Sequence, residues 1–302
     1  MSWILIGLAS AALAGAINIL DKTVMYRYAR SPLTLPLLVG IAQTAVGVAI
    51  ILALSTPDEA TGSSVGWAIG SGALWGLGGL IMLRVMYSQE ATRTVPIVQT
   101  FPIFAAIMGV VFLDEQLSAI HWFGIVATVG GAVLLAMRYD QEYRRFFLHK
   151  SFFILMVASM IAATAHVTSK VAVTEMPVLY THGLRSLGLG GIFLIAALRP
   201  STVRDVTALL RDGRAAFAFV GTNEFLLATT SLVLGLWALS LGSVGPVTAL
   251  TATRSAFLLL YSTVLALKFK GFLGETVTGG AVLLKSVSIA LVILGVVAIA
   301  LG

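Results

Sequence analysis

The sequence predicts an all-α integral membrane protein whose ten transmembrane helices form two inverted five-helix repeats, and three observations carry that expectation. Of 302 residues, 58% are hydrophobic and 11% charged, and the mean hydropathy is +0.99; soluble globular chains are about half apolar and about a quarter charged. Apolar windows of about 20 residues, the length that crosses a hydrocarbon core of about 30 Å, recur between short polar breaks along the chain. The two halves also match one another at offsets of 148 and 150 residues. The composition excludes a soluble fold, and the low charge excludes disorder. Without cysteine, disulfides, thiolate metal sites and cysteine nucleophiles are excluded too.

The expected spans are 3–20, 33–54, 65–85, 95–113 and 119–137 in the first half. Those of the second half are 152–173, 178–198, 215–239, 244–267 and 277–301. The first span has no basic residue before it and no small-residue cleavage site, so it reads as a retained helix. It carries Gly7, Ala11 and Gly15 at four-residue spacing, and the third span carries Gly66, Gly70, Gly72 and Gly76, patterns that let helices cross closely. The fourth spans of both halves open on a proline, Pro96 and Pro246, which starts a helix without losing a hydrogen bond. The run 289–299 does not alternate polar with apolar residues, which argues against a β-barrel. Trp3, Trp67 and Trp122 fall near span ends, where indoles anchor to the interface.

Sorting the basic residues by loop places 15 of the 19 Lys and Arg on one side of the membrane. The positive-inside rule then puts both termini on the non-cytoplasmic side, in a cell (plasma or inner) membrane. The net charge of +6 is therefore topological and implies no nucleic-acid partner; the expected partners are the lipid bilayer and a small molecule.

Ala14 to Lys22 (AGAINILDK) aligns with Ala162 to Lys170 (AATAHVTSK), placing Asn18 on His166 and Lys22 on Lys170. Tyr87 to Pro96 falls on Trp237 to Pro246. Five spans per copy is an odd number, so the second copy (146–302) is inverted relative to the first (1–145). Inverted repeats hold a ligand near the midplane between halves and underlie alternating access.

Pro102, Asp114-Glu115, Gly124 and Gly130-Gly131, in PIFAAIMGVVFLDEQLSAIHWFGIVATVGGAVLL, together resemble the signature region of EamA-type transporters of the drug/metabolite transporter superfamily. Arg185 in HGLRSLGLGG resembles that family's Arg in the second span of a repeat, and Lys22 and Lys170 its Lys closing the first. The second half departs from the pattern, with Ala252 where the offset expects Pro and Leu265 where it expects the acid; Glu275 is a candidate replacement. The resemblance implies a non-enzymatic transporter of small metabolites.

Ionisable groups at bilayer depth are costly and mark function. Arg185, Glu224, Arg254 and Lys285 lie deep in spans 7, 8, 9 and 10. Their depths predict a Glu224–Lys285 pair and an Arg185–Arg254 cluster. Three cations against one anion leave an excess of two positive charges, which suits a substrate bearing a carboxylate or phosphate. The substrate is expected to be anionic or zwitterionic. Glu224 is also a candidate for carrying a coupled proton. The alternative is that the four charges saturate one another and only align helices. Asn18, His166, Trp75 and Tyr87 are candidates to line the same cavity. His166 serves equally as a donor to a neighbouring carbonyl. His182 lies near the outer end of span 7 and His121 at a span end. No histidine has the company of a metal site, no Walker, zincin or nucleophile-elbow motif occurs, and no cofactor is expected. Energy must then come from a gradient or from exchange. A rival reading is a lipid flippase or scramblase passing a phosphate headgroup along a basic groove. Ten spans make one complete unit, so a monomer is the default and a dimer the other state.

Overall fold

The computed structural model describes residues 2–27, 31–88, 94, 97–98, 100–136, 150–211, 214–268 and 279–302. The boundary expected between residues 145 and 146 lies outside them, as do Arg93, Pro96, Arg138, Arg144, Arg145 and Glu275. The described residues are mostly helical, and none of them is in a strand. In chain order they form α1 (Ser2–Arg27), α2 (Thr34–Ala53), α3 (Gly62–Ser88), α4 (Phe101–Phe112), α5 (Ala119–Ala136), α6 (Lys150–Glu175) and α7 (Val178–Ala197). There follow α8 (Pro200–Arg211), α9 (Arg214–Gly221), a π turn (Thr222–Leu227), α10 (Ala228–Leu241), α11 (Val244–Ala252), α12 (Arg254–Lys268) and α13 (Gly279–Leu301). Six helices are long and apolar enough to cross a membrane, and 101–112, 119–131 and 290–301 are shorter apolar helices. Leu52, Phe112, Phe123 and Ile195 are exposed, as apolar side chains facing lipid must be.

Several elements differ from the sequence expectation, each for a local reason. Helix α1 continues past Leu20 to Arg27, because no Gly or Pro interrupts it before Pro32, whose predecessor is biased away from helix. Asp21 and Lys22 are thereby drawn into the bundle, and Lys22 is buried. The segment after α7 forms the amphipathic α8, which opens on Pro200 and turns buried Val206 and Leu209 onto the core formed with α2. The expected eighth span is a helix–π–helix rather than one α-helix, and the ninth is broken at Thr253 between α11 and α12.

That break has a twin. At Thr253 the amide and the side-chain hydroxyl both donate to the Leu250 carbonyl, at 3.1 and 2.6 Å. At Thr100, ahead of α4, the amide and hydroxyl both donate to the Ile97 carbonyl, at 3.2 and 2.9 Å. In both places the residue three further on, Ala256 or Ile103, donates back to the threonine carbonyl. A three-residue spacing in place of four tightens the turn and interrupts the α-helical ladder. In the first half Pro102 also withholds an amide; in the second the threonine turn stands without a proline.

Helix α1 packs on α10, α11 and α12, α6 on α3, α4 and α10, α2 on α7, and α5 on α13. Small residues set the crossings. A side chain at Gly72 would overlap the Arg185 carbonyl, and one at Gly188 the Ile69 carbonyl, so α3 and α7 touch backbone to backbone there. Reciprocal hydrogen bonds tie α1 to α10: Ser10 Oγ donates to the Ser231 carbonyl (2.8 Å) and Ser231 Oγ to the Ser10 carbonyl (3.1 Å). In hydrocarbon such bonds are worth about 0.6 to 2 kcal/mol each.

Gly72→Val is expected to lower stability by about 3 kcal/mol or more, the upper range of overpacking. Gly66→Val, where a new side chain meets nothing within 4 Å, is expected to leave the melting temperature in detergent unchanged. Equal melting of the two variants would overturn the backbone-contact account.

Candidate functional site

The polar interior is strung along one chain of contacts. On α7, Ser186 lies 3.3 Å from His182 Nε2 and donates to Gln43 Oε1 of α2 at 3.1 Å. Gln43 Nε2 reaches the Glu224 carbonyl at 3.5 Å. In the π turn, whose wide pitch recurs at functional sites, Asn223 and Glu224 are both buried. Asn223 Nδ2 donates to Asp21 Oδ1 at 2.7 Å and to Glu224 Oε1 at 2.9 Å. The two carboxyl groups are also within hydrogen-bonding reach of each other, and Arg254 acts on Asp21 electrostatically.

A cavity of about 150 Å³ is lined by Asn18, Asp21, Gln43, Trp75, Glu224 and Arg254, among others. Ala162, Leu189, Phe193, Ala228 and Leu232 bring α6, α7 and α10 to the same wall. A smaller cavity of about 60 Å³ is lined by Trp75, His166, Ser169, Arg185 and Arg254. Trp75 and Arg254 belong to both walls and stand between the two. Arg185 is buried with its guanidinium carbon 5.3 Å above the Trp75 ring, a cation–π arrangement that fixes the charge without using its N–H groups. Its Nε and Nη2 have no hydrogen-bond partner among the described residues, nor does His166 Nε2 or Asn18 Nδ2. His166 stacks on Phe101 (5.0 Å between centroids, 5° between planes) and meets Trp75 edge-on at 4.9 Å. The close crossing at Gly72 brings Trp75, one turn on, beneath Arg185. The two helix breaks deliver Phe101 and Arg254, each the residue that follows its threonine.

Of the residues expected from sequence, the fold brings together Arg185, Arg254, Glu224, His166, Asn18 and Trp75. Tyr87 is partly exposed near the end of α3 and lines neither of these cavities. Lys285 lies on α13 with its side chain outside the described residues, so the expected pair with Glu224 falls outside them as well; the described neighbours of Glu224 are Asn223 and Asp21. Asp21 changes the charge count: two acids, Asp21 and Glu224, stand with Arg185 and Arg254. Sequence reasoning passed over Asp21, Asn223 and Gln43. Asp21 sits three residues after Asn18, which places both on one helix face, and that spacing was the signal available for it.

A third, open cavity of about 450 Å³ lies at the other end of the bundle, lined by Trp3, Glu115, His121, Lys170 and residues 241–243. Asp114 has a φ of 54°, a left-handed conformation that Asp tolerates better than most residues. It turns the chain so that both Glu115 carboxylate oxygens accept from the Val244 amide, at 2.8 and 3.0 Å. The Asp-Glu pair thus caps the N-terminus of α11. Lys170 Nζ donates to the carbonyls of Leu239 (2.8 Å) and Gly242 (3.0 Å) at the end of α10. Lys22, its partner at an offset of 148, donates to the Met86 carbonyl at the end of α3.

Residues 1–137 match the EamA-like transporter family. The matched region, a little under half of the chain, is similar to that family, and six of the described helices are of membrane-spanning length and composition. A relative from Sinorhizobium sp, named an uncharacterized transporter in the cobO 3' region, is 32% identical over 81 residues, which make up 27% of this chain and 57% of that protein. The match therefore spans little more than half the length of that relative. One solved crystal structure, described only as that of a protein, is similar over 98% of this chain and 96% of its own, with a TM-score of 0.66 at 18% identity; that likeness shows the fold alone. Capping by Glu115 is worth about 0.5 to 2 kcal/mol, so Glu115→Ala is expected to lower the melting temperature accordingly. Asp58→Ala, in an exposed loop, serves as the control; no difference between them would mean that the cap is idle.

Proposed function

We propose that this transporter moves a small polar metabolite by alternating access between inverted halves, residues 1–145 and 146–302. Helix packing supports the inversion. Exchanging each span with its counterpart five spans later turns the α1–α10 contact into the α6–α3 contact and the α1 contact with α11 and α12 into the α6–α4 contact, while α2–α7 and α5–α13 map onto themselves. The twin breaks at Thr100 and Thr253 and the twin caps by Lys22 and Lys170 obey the same exchange. Discontinuous helices at the midplane are where such transporters hold their cargo.

The observation that carries the substrate reading is Arg185: buried, held over Trp75, with two guanidinium nitrogens unpartnered among the described residues. A planar fork of this kind takes a carboxylate or a phosphate. Arg254 shares that cavity but also faces Asp21, so Arg185 is the principal anion donor and Arg254 the group between anion and acids. Asn18 and the acids on the far side suit a hydroxyl, amine or ammonium on the same substrate, which makes a zwitterion a good fit. A cavity of about 150 Å³ matches a molecule of about benzene's size. Its walls come from both halves, which favours a soluble metabolite over a lipid headgroup sliding along a groove.

With both termini on the non-cytoplasmic face, the 150 Å³ cavity lies toward the cytoplasm, since Asp21 is near the end of α1 and Glu224 near the start of its span. The mouth at Glu115 and Lys170 then faces outward. One chain forms a complete transport unit, driven by a gradient or by exchange.

The test is thermal stabilisation of purified protein against phosphates, carboxylates, amino acids, cationic drugs and lipids, since a ligand of the folded state raises the melting temperature. An anionic or zwitterionic metabolite is expected to stabilise the wild type. Its Kd is expected to rise roughly 10- to 100-fold in Arg185→Gln, the worth of hydrogen bonds to a charged group. Stabilisation by cationic compounds alone, unchanged in Arg185→Gln, would overturn the anion reading. Stabilisation by phospholipid alone would favour the flippase.

A further inference from the structure

Asp21 and Glu224 come from opposite halves of the chain, one on α1 and one in the π turn, and meet on the wall of the larger cavity. Glu224 is 2% exposed and Asn223 not at all. Asn223 spends both hydrogens of its side-chain amide on this pair, one on each carboxyl. The carboxyl groups also lie within hydrogen-bonding reach of each other. Two carboxylates are acceptors only, so a hydrogen bond between them requires a proton on one. Two adjacent negative charges in a low-dielectric interior repel strongly, which is why paired carboxyls elsewhere hold one proton in common.

The surroundings agree with a total charge of minus one on the pair. Among the described residues, Arg254, from α12, is the cation that faces it. From α2 comes the neutral Gln43, from α3 the neutral Trp75, and Lys22, next along α1, hydrogen-bonds the Met86 carbonyl. A proton shared between the two carboxyls removes the repulsion of adjacent negative charges and leaves one charge opposite the guanidinium of Arg254. A second, independent feature points into the same cavity. Asn18, 3% exposed and one turn before Asp21, carries an Nδ2 donor without a partner among the described residues. That donor suits an acceptor entering the cavity, such as a water delivering a proton or an oxygen of the cargo.

We infer that Asp21 and Glu224 form a single-proton site spanning the two halves. On the transporter reading above, this is where proton movement is coupled to cargo, because opening the bundle on one side or the other pulls apart the helices that supply the two acids. At offset 148 the counterpart of Asp21 is Ser169, which lines the smaller cavity. Among the described residues this arrangement therefore occurs once, on one side of Trp75 and Arg254.

Infrared difference spectroscopy of the purified full chain, cycled between acidic and alkaline pH, reads the site without any cargo. One protonated-carboxyl carbonyl band, shifted in heavy water, is expected at neutral pH in the wild type. It should be lost at neutral pH in both Glu224→Gln and Asp21→Asn, because the surviving acid then faces Arg254 alone and ionises. Retention of the band in either variant would overturn sharing, and its absence at neutral pH in the wild type would overturn the site. Should a variant fail to fold, dicyclohexylcarbodiimide, which modifies protonated buried carboxyls, is applied to the wild type at neutral pH. Modification at Asp21 or Glu224 supports the proposal and modification at neither overturns it. These readouts do not depend on which substrate the thermal panel finds, so failure of the one reading is distinguishable from failure of the other.

Discussion

Hydrocarbon offers no partner to a polar group, and the amide of Asn223 answers that constraint for the two acids on which the interior is organised. By donating to Asp21 and Glu224 at once, it fixes α1 against the π turn and holds two carboxyls where either alone would be expensive. Without the bridge, Asp21 would have no reason to lie in the bundle, α1 could fray after Leu20, and the cavity would lose a wall. The Gln43 and Ser186 contacts extend the same logic to α2 and α7. Each polar side chain is tolerated because the next one satisfies it, and the chain of contacts ends at the cavity, where unpartnered donors face space rather than lipid.

Helix breaks perform the complementary task of freeing geometry. A continuous ninth span would carry Arg254 on one stripe of a long cylinder. The tight turn at Thr253 makes it the first residue of a new helix. The turn at Thr100 does the same for Phe101. The outcome is an arginine and an aromatic ring at corresponding places in the two halves, with Trp75 adjoining both, one holding charge and the other stacking on His166.

The membrane class and the six long apolar helices were legible because apolar length is a coarse signal that many residues report together. Buried Arg185 and Glu224 were conspicuous for a different reason, as a lone Arg or Glu in an apolar run stands out. What escaped was local and relational. Asp21 looked like the end of a span because its hydrogen-bond partner, Asn223, is 202 residues away. The break at Thr253 was hidden because the second half lacks the proline that marks the first, and threonine closes the same turn with its hydroxyl. The acidic signature Asp114-Glu115 was visible as a motif, yet its task, capping α11 across the bundle, depends on a left-handed residue and on a contact between halves. Lys22 and Lys170 aligned in sequence, but only the fold places each on the carbonyls that end another helix.

The differences between the halves carry more chemistry than their likeness. The alignment offset is 148 residues at the two lysines and 153 between Thr100 and Thr253, so the second copy has gained residues while keeping its caps and breaks. At matched places Asn18 stands against His166, Asp21 against Ser169, and Phe101 against Arg254. The first two exchanges keep a side chain at one of these two cavities and change its charge or its donors. A strictly symmetric molecule would present the same face to cargo from both sides of the membrane. Here the acids line the larger cavity, Arg185 and His166 line the smaller one, and Trp75 with Arg254 divides them. On the function proposed above, that division sets the order in which a zwitterion or a proton meets opposite charges, while the gradient sets the direction.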